Sequence, residues 1–224
     1  MMKISRWSIG FLLAAILLVA SCGSQPSTAQ LTGVQDSLPA KENTEEILVA
    51  VQPFTGFDSA LSEYAASEIE AFYGFSTEIL PPRELPAAAC YKPRNRYRAD
   101  SLLNWLAREK PDRANFIMGL TSKDISCTKE PYEDWGIFGY GYMPGPSCVV
   151  STFRLRKNGA GEDLFRERFA KVLLHELGHN LGLKHCPAEG CMMSDANGTI
   201  VTVDHEKKSL CESCRKQISS ITKK

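Results

Sequence analysis

Three histidines and a glutamate in the C-terminal half of the chain have the spacing of a metal site. His175, Glu176, His179, Gly182 and His185 form the pattern H-E-x-x-H-x-x-G-x-x-H. Histidines four apart lie one above the other on one helix face, so the first two can bind the same metal ion. The glycine can adopt the positive φ that ends a helix, and the resulting turn brings the last histidine back as a third ligand.

Such a site is suited to hydrolysis. Three protein ligands leave the fourth position of a tetrahedral Zn²⁺ open for water, which distinguishes a catalytic zinc site from a structural one. Glu176 follows the first ligand and can take a proton from this zinc-activated water as general base. A surface helix with two solvated histidines is the alternative. The apolar residues before His175 instead favour a buried helix that holds its ligands rigidly.

Four cysteines follow the third histidine. Cys186 comes directly after it, Cys191 and Met193 come next, and Cys211 and Cys214 form a C-x-x-C pair. Four thiolates can close a tetrahedral shell around a second, structural Zn²⁺ that has no open position. Two disulfides are the alternative, because an oxidising compartment favours them.

The complete pattern from His175 to Cys214 resembles the signature of the archaemetzincin (archaelysin) family of metzincin-type zinc metallopeptidases, and a looser likeness extends from about Ile47 to the end. The resemblance implies two zinc ions per chain, a catalytic one on the three histidines and a structural one on the four cysteines. It implies that Glu176 is the general base and that Met193 forms the apolar Met-turn beneath the catalytic zinc. It also implies a polypeptide substrate.

The N-terminal residues predict a bacterial lipoprotein signal peptide at 1–21. Lys3 and Arg6 precede an apolar run at 9–20 that is too short to span a bilayer comfortably. The run ends at Cys22 in a Val-Ala-Ser-Cys sequence that resembles a lipobox, whose cysteine carries the lipid. We therefore expect a protein anchored to a membrane of the bacterial cell envelope. A secretory signal cleaved nearby and a buried helix of the domain are the alternatives.

Residues 22–45 and 46–224 differ in composition. The first segment is rich in Ser, Thr, Gln and Pro without a period and predicts a flexible linker. The second is long enough for one domain with a substantial core, here a metallopeptidase domain. The chain has 26 basic and 26 acidic residues, so its charge argues against a nucleic-acid partner. We expect a monomer.

The resemblance implies an α+β fold of the α/β/α zincin type, and the order of predicted elements agrees with it. Strands are predicted at 47–51, 75–80, 115–120 and 149–155. Helices are predicted at 58–73, 99–110, 162–181 and 204–218. The third helix is the long active-site helix, and the last belongs to a short C-terminal zinc-bound subdomain. The strands are expected to form a mixed, mostly parallel twisted sheet.

The stretch 136–141 resembles the antiparallel edge strand that lies over the cleft in metzincins. An exposed strand edge offers free N–H and C=O groups, along which an extended peptide can add itself as a further strand. An ordinary aromatic strand that faces the core is the alternative. Tyr140 and Tyr142 are candidates for the donor that stabilises the tetrahedral oxyanion.

The remaining reactive residues fit less specific roles. His205 is expected at the surface, and the arginines 94, 96 and 98 are expected on a solvated rim rather than in a binding patch. Two of Cys90, Cys127 and Cys148 could form a disulfide in an exported protein. Two functions compete with peptide hydrolysis: an envelope lipoprotein that binds peptides or partners without turnover, and a scaffold in which both metals are structural.

Overall fold

The structure, a computed structural model, describes residues 46–221. The predicted signal peptide (1–21), the predicted lipidated Cys22 and the predicted linker (22–45) lie outside the described residues. Among the helices in the described part of the chain, none combines the length and the apolar character needed to cross a bilayer.

The elements alternate between strands and helices along most of the chain. The strands within residues 46–221 are β1 (Leu48–Pro53), β2 (Ser76–Ile79), β3 (Cys90–Tyr91), β4 (Arg96–Arg98), β5 (Phe116–Thr121), β6 (Ile125–Lys129), β7 (Tyr132–Ile137), β8 (Gly139–Gly141) and β9 (Ser147–Ser151). The α-helices of the same range are α1 (Ser59–Tyr73), α2 (Ala99–Glu109), α3 (Glu162–Asn180), α4 (Ile200–His205) and α5 (Glu212–Ile221). Short 3₁₀ turns occupy Ala87–Ala89, Lys92–Arg94 and Lys157–Gly159.

The central sheet has the strand order β2-β1-β5-β9-β8. The first four strands are parallel, and β8 runs antiparallel to β9, with Tyr140 opposite Val149. Among residues 46–221, β8 pairs with a strand on one side only, so its other edge faces the cleft. The predicted α+β fold, with a mostly parallel sheet and an antiparallel edge strand, is therefore confirmed.

Helices cover both faces of the central sheet because its middle strands bury alternate residues on opposite sides. In β1, Val49 and Val51 pack with α1 and α3, whereas Ala50 packs with α2. In α2, Leu102 and Leu106 are completely buried against the sheet. The result is the predicted α/β/α sandwich, in which α3 lies beside the edge strand.

A second sheet, of order β3-β4-β6-β7, was not predicted, apart from the end of β7. Its strands are short and mix charged with apolar residues, so their alternation is weak in the sequence. The predicted strand at 136–141 belongs to both sheets. Gly136 and Ile137 end β7, Phe138 separates the two sheets, and β8 begins at Gly139.

Ion pairs fix the second sheet, and the predicted solvated arginine rim is wrong for two of its three members. The side chain of Arg94 is 62% exposed, but those of Arg96 and Arg98 are only 13% and 18% exposed. Arg96 lies 3.0 Å from Asp134 and 3.1 Å from Asp124. These arginines stabilise the sheet from inside, where partly buried pairs are screened less by salt.

The predicted helix at 204–218 is instead two helices, α4 and α5, with an irregular, bent segment between them. In that segment the carbonyl of Ser209 accepts the Met192 N–H at 2.9 Å. Directly before α5, the Cys211 N–H donates to the Cys191 Sγ at 3.4 Å. Between α4 and α5, hydrogen bonds to the loop that follows His185 take the place of intrahelical hydrogen bonds. Tertiary contacts therefore outweigh the helix propensity of this segment.

Candidate active site

The helix α3 carries His175, Glu176 and His179 and is buried for most of its length. The apolar residues Phe169 and Leu173 on this helix are completely buried, and α1 packs alongside it. Burial on this scale holds a helix rigidly. The first two histidines and the glutamate are therefore fixed by the core of the domain.

The turn after α3 is a Schellman motif, as the glycine in the sequence pattern predicts. Gly182 has a φ of +89°. Its N–H donates to the carbonyl of His179 at 2.8 Å, and the Leu183 N–H donates to the carbonyl of Gly178 at 3.0 Å. Only glycine adopts this backbone conformation without strain. The turn directs the chain back toward the helix and places His185 beside the other two histidines.

We call His175, His179 and His185 the histidine cluster. Each offers a ring nitrogen, and the three nitrogens lie within 4.8 Å of one another. The ring centroids are 4.6, 4.9 and 5.4 Å apart. This arrangement fits three ligands of one metal ion on one side, with space left on the other.

Backbone carbonyls fix the tautomers of two of these rings. The Nδ1 atom of His175 lies 2.7 Å from the Met192 carbonyl, and that of His179 lies 2.7 Å from the Leu183 carbonyl. A carbonyl can only accept, so both Nδ1 atoms carry the proton and both Nε2 atoms are free to bind a metal. Burial lowers the pKa of His175 to about 3, which keeps the ring neutral as a ligand must be.

His185 is more exposed than the other two rings. Its Nδ1 lies 3.7 Å from an Asp195 carboxylate oxygen. Asp195 also accepts the Asn197 N–H at 2.8 Å, which holds the carboxylate in place. A carboxylate near the outer nitrogen of a ligating histidine orients the ring and raises its basicity.

Glu176 is buried beside the edge strand. Burial raises the pKa of its carboxyl group to about 8. A Cβ atom at Gly139 would lie 2.6 Å from the Glu176 Oε1, and one at Gly141 would lie 2.8 Å from the Glu176 carbonyl oxygen. The absence of side chains at these two positions of β8 therefore makes room for the glutamate, a relation that sequence spacing alone could not predict.

A cavity of about 580 Å³ opens in front of the histidine cluster. Strands β6, β7 and β8 form one wall, and α3 with the segment after Met192 forms the other. The cavity contains all three ligand histidines and Glu176, and its lining is mainly apolar. Lys129, Trp135 and Glu206 also line it, and none of them belongs to the metal motif, so only the folded chain reveals them.

The two candidate oxyanion donors differ in their partners. The Tyr142 hydroxyl donates to the Asn104 Oδ1 at 2.8 Å and is therefore engaged. The Tyr140 hydroxyl makes no hydrogen bond with residues 46–221, and both tyrosines line the cavity. Burial raises the pKa of Tyr140, which keeps the hydroxyl protonated and able to donate.

The four C-terminal cysteines form a second group, the cysteine cluster. Cys186, Cys191, Cys211 and Cys214 have sulfur atoms within 4.8 Å of one another. The sulfurs of the first and third lie 3.7 Å apart, and those of the second and fourth 3.9 Å apart. Tetrahedral Zn²⁺ with Zn–S bonds of about 2.3 Å requires S···S separations of about 3.8 Å, so the cluster fits a zinc ion.

Donors around the cysteine cluster also suit thiolates. The Ala188 N–H donates to the Cys186 Sγ at 3.5 Å. A hydrogen bond from the Cys214 backbone lowers the pKa of the Cys211 thiol to about 7, whereas burial raises the pKa of the Cys214 thiol. All described cysteines are free, so neither the alternative of two disulfides here nor a disulfide among Cys90, Cys127 and Cys148 is present within residues 46–221.

Met193, the predicted Met-turn residue, packs against Gly178 of α3, the residue before His179. It is completely buried, and a Cβ atom at Gly178 would lie 2.6 Å from its sulfur. The Met193 carbonyl accepts the Cys186 N–H at 2.8 Å, so the turn is joined to the start of the cysteine cluster. His205, the histidine outside the motif, is exposed at the end of α4.

Comparisons with known proteins agree with this geometry. Residues 59–220 match the family model described as Peptidase family M54. The archaemetzincin of Halobacterium salinarum is 29% identical over 177 residues, which cover 76% of this chain and 98% of that protein. The archaemetzincin of Methanopyrus kandleri is 36% identical over 131 residues, which cover 58% of this chain and 70% of that protein.

Solved structures give the same result. The crystal structure of the Methanopyrus kandleri archaemetzincin has a TM-score of 0.69 and 29% identity, with 82% of this chain and 99% of that chain covered. The Archaeoglobus fulgidus archaemetzincin, complexed with malonate, has a TM-score of 0.65 and 29% identity, with 76% and 99% covered. The chain therefore belongs to peptidase family M54, the archaemetzincins, and is a zinc metalloprotease.

Proposed function

We propose that the histidine cluster is the catalytic centre, with His175, His179 and His185 as zinc ligands and Glu176 as general base. The observation that carries this proposal is the convergence of three imidazoles, two with free Nε2 atoms, beside a buried carboxyl group at an open cavity. A bound Zn²⁺ would polarise the scissile carbonyl and lower the pKa of a water molecule.

The side chains supply the proton transfers and the positioning. Glu176 takes the proton of the attacking water and delivers it to the leaving amine, a task suited to a carboxyl group whose pKa lies near neutrality. An extended peptide lies along the open edge of β8, where backbone groups hold it in register. The hydroxyl of Tyr140 is the candidate donor to the developing oxyanion.

The cysteine cluster is proposed to hold a second, structural Zn²⁺. Its four ligands would complete a tetrahedral shell, so this metal would have no position for substrate. Metal bound there would join α5 to the turn that contains Met193. The proposed metal content is thus two zinc ions per chain.

The proposed location is the bacterial cell envelope. Residues 1–21 would be removed as a lipoprotein signal and Cys22 would carry the lipid, which is supported by the Val-Ala-Ser-Cys sequence after the apolar run. The domain would act as a membrane-anchored monomer on polypeptides. Mass spectrometry of the mature N-terminus tests this, because an unmodified Cys22 would contradict it.

Replacing Glu176 by Gln tests the catalytic assignment. The variant keeps the volume of the side chain but cannot act as a base, so hydrolysis of a broad peptide library should fall by about 1,000-fold or more. Metal analysis should still give two zinc ions per chain. The matched control is Glu63→Gln, since Glu63 is exposed on α1 and far from the cavity lining.

Full activity in Glu176→Gln would contradict the general-base role. A parent protein that binds library peptides but cleaves none of them would instead favour the non-hydrolytic binding protein.

A further inference from the structure

We propose that the cavity selects peptides with lysine or arginine next to the scissile bond, and that Glu206 is the partner of that cation. The inference rests on the proposed function, because the histidine cluster defines where the scissile bond lies. It goes beyond that function by naming the side chain that the cavity accepts.

The cavity extends along α3 for about one helical turn beyond the histidine cluster. Val172 and Lys171, three and four residues before His175, both line it. Residues three and four apart on a helix are neighbours on one face, so the cavity runs from the metal site toward the beginning of the helix. Val203 and Glu206, at the end of α4, also line it.

Most of the cavity wall is apolar. Aromatic and aliphatic side chains of β7, of the link to β8, of α3 and of α4 surround the space, namely Trp135, Ile137, Phe138, Val172 and Val203. A substrate side chain that enters the cavity must therefore pack a hydrocarbon stem against this apolar wall. Lysine and arginine have such stems and carry their charge at the far end.

The carboxylate of Glu206 has no hydrogen-bond donor among residues 46–221. Its Oε2 atom is buried without a partner, and no ion pair involves the residue. Buried carboxylate oxygens are normally satisfied because an unpaired one costs free energy. The Oε1 atom also has no donor among the described residues but is not closed off in this way, so it is the oxygen that a cationic ligand in the cavity would reach.

The lysine of the cavity lining that lies on α3 is already engaged. The Lys171 ammonium lies 2.7 Å from a Glu167 carboxylate oxygen, 3.1 Å from the Val203 carbonyl and 3.4 Å from the Asp204 carbonyl. An ammonium group has three protons, so these three acceptors use all of them. Lys171 therefore has no donor left for Glu206.

The other charged residues of the lining are engaged as well. Lys129 lies 3.2 Å from the Asn197 Oδ1 and 5.6 Å from the centroid of the Trp135 ring. Asp195 accepts the Asn197 N–H and faces His185. Glu176 has the role of the base, so among the described lining residues Glu206 remains as the unpaired charge.

Two peptide hydroxamates that differ only in the side chain next to the chelating group test the inference. One carries lysine and the other norleucine, which has a similar stem without the charge. The zinc-loaded protein should bind the lysine compound at least about tenfold more tightly, as a charge-assisted hydrogen bond implies. Glu206→Gln should abolish this preference, and Glu206→Lys should reverse it toward a glutamate compound.

The control variant is Glu84→Gln, since Glu84 is exposed and does not line the cavity. It should keep the lysine preference. Equal affinities of the parent protein for the lysine and norleucine compounds would overturn the inference, and this comparison needs no variant to fold. Persistence of the preference in Glu206→Gln would also overturn it.

Peptide cleavage separates this inference from the proposed function. If the protein cleaves norleucine and lysine peptides equally well, the selection by Glu206 is refuted while the peptidase activity stands. If no peptide is cleaved but the hydroxamate preference holds and depends on Glu206, the catalytic proposal fails and the binding inference stands.

Discussion

The histidine cluster and the cysteine cluster are adjacent in the chain but differ in their surroundings. The histidine cluster opens into a cavity of about 580 Å³, and its ligands come from one helix and the turn that follows it. The cysteine cluster gathers ligands from the loop after His185 and from the start of α5, and two of its cysteines are buried. His185 belongs to the first cluster and Cys186 to the second.

The two proposed zinc ions would therefore have different uses. A site on a rigid helix with one side open can bind a substrate, because the fold supplies the rigidity. A site built from loops with all four ligands present supplies rigidity to the fold instead. We therefore expect ligand replacements in the two clusters to affect different properties.

The largest expected effect is a loss of peptidase activity when a residue of the histidine cluster is replaced. His179→Ala removes a proposed ligand of the catalytic zinc, whose Lewis acidity is worth several kcal/mol, so peptide hydrolysis should fall by about 1,000-fold or more. The zinc content should fall from two ions to one, and thermal unfolding should change little. The control His205→Ala alters an exposed histidine outside the cluster and should keep both metals.

In the cysteine cluster the main effect should be on stability. Cys214→Ser should weaken the second zinc site and lower the free energy of unfolding by at least about 3 kcal/mol, the stabilisation given by a ligand present at a few hundred times its dissociation constant. Urea unfolding in the presence of zinc measures this effect. Cys90→Ser is the matched control, since Cys90 lies outside the cluster. Equal stabilities of the two variants would remove the proposed difference between the clusters.

The pH dependence of the metal-free protein tests the surroundings of the histidine cluster. The pKa of Glu176 rises from 4.5 to about 8 on folding, so the folded state binds the proton more tightly. The resulting stability is fully present below pH 4.5 and is lost as the pH rises through about 8. Relative to Glu176→Gln, the parent should lose roughly 2 to 3 kcal/mol between about pH 5.5 and 7.5.

The pKa of His175 changes in the opposite direction, from 6.5 to about 3, so its contribution is present at high pH and is lost as the pH falls. Because both proteins contain this histidine, it cancels in the difference. Parallel stability curves for the parent and for Glu176→Gln, measured by urea unfolding at a series of pH values, would show that the carboxyl group is not shielded from water.

The smallest expected effect concerns the strand that borders Glu176. In Gly139→Ala the new Cβ would lie 2.6 Å from the Glu176 carboxylate, so the proposed base must move. We expect kcat to fall by about 10- to 100-fold with KM nearly unchanged and zinc retained. Gly161→Ala is the control, because no atom lies within 4 Å of a Cβ at that position. A variant with parental kcat would show that the base tolerates displacement.

The parts that the sequence predicted well depend on local spacing. The histidine cluster follows from a four-residue helical repeat and one glycine turn, and φ of +89° at Gly182 is what that turn requires. The parallel strands β1 and β5 were recognisable because they are buried on both faces and read as apolar runs. Helices α1 and α2 lie within one or two residues of their predicted bounds.

The parts that were missed depend on contacts between distant residues. The second sheet is stabilised by buried arginine–aspartate pairs, and charged residues in a sequence suggest solvent exposure. The predicted C-terminal helix is divided because hydrogen bonds to the Met192 loop compete with helical ones. The relation between Gly139 and Glu176 joins positions 37 residues apart, so no sequence pattern contains it.

One residue, Phe138, lies between the two sheets, and this separation bears on how the substrate preference of the enzyme can change. Phe138 separates the hairpin β6–β7, which forms one wall of the cavity, from β8, which borders Glu176. Changes in the hairpin can therefore alter which peptides enter while the catalytic geometry stays the same. Substitutions in the hairpin could thus change the substrate preference of the enzyme, while β8 and α3 preserve the reaction.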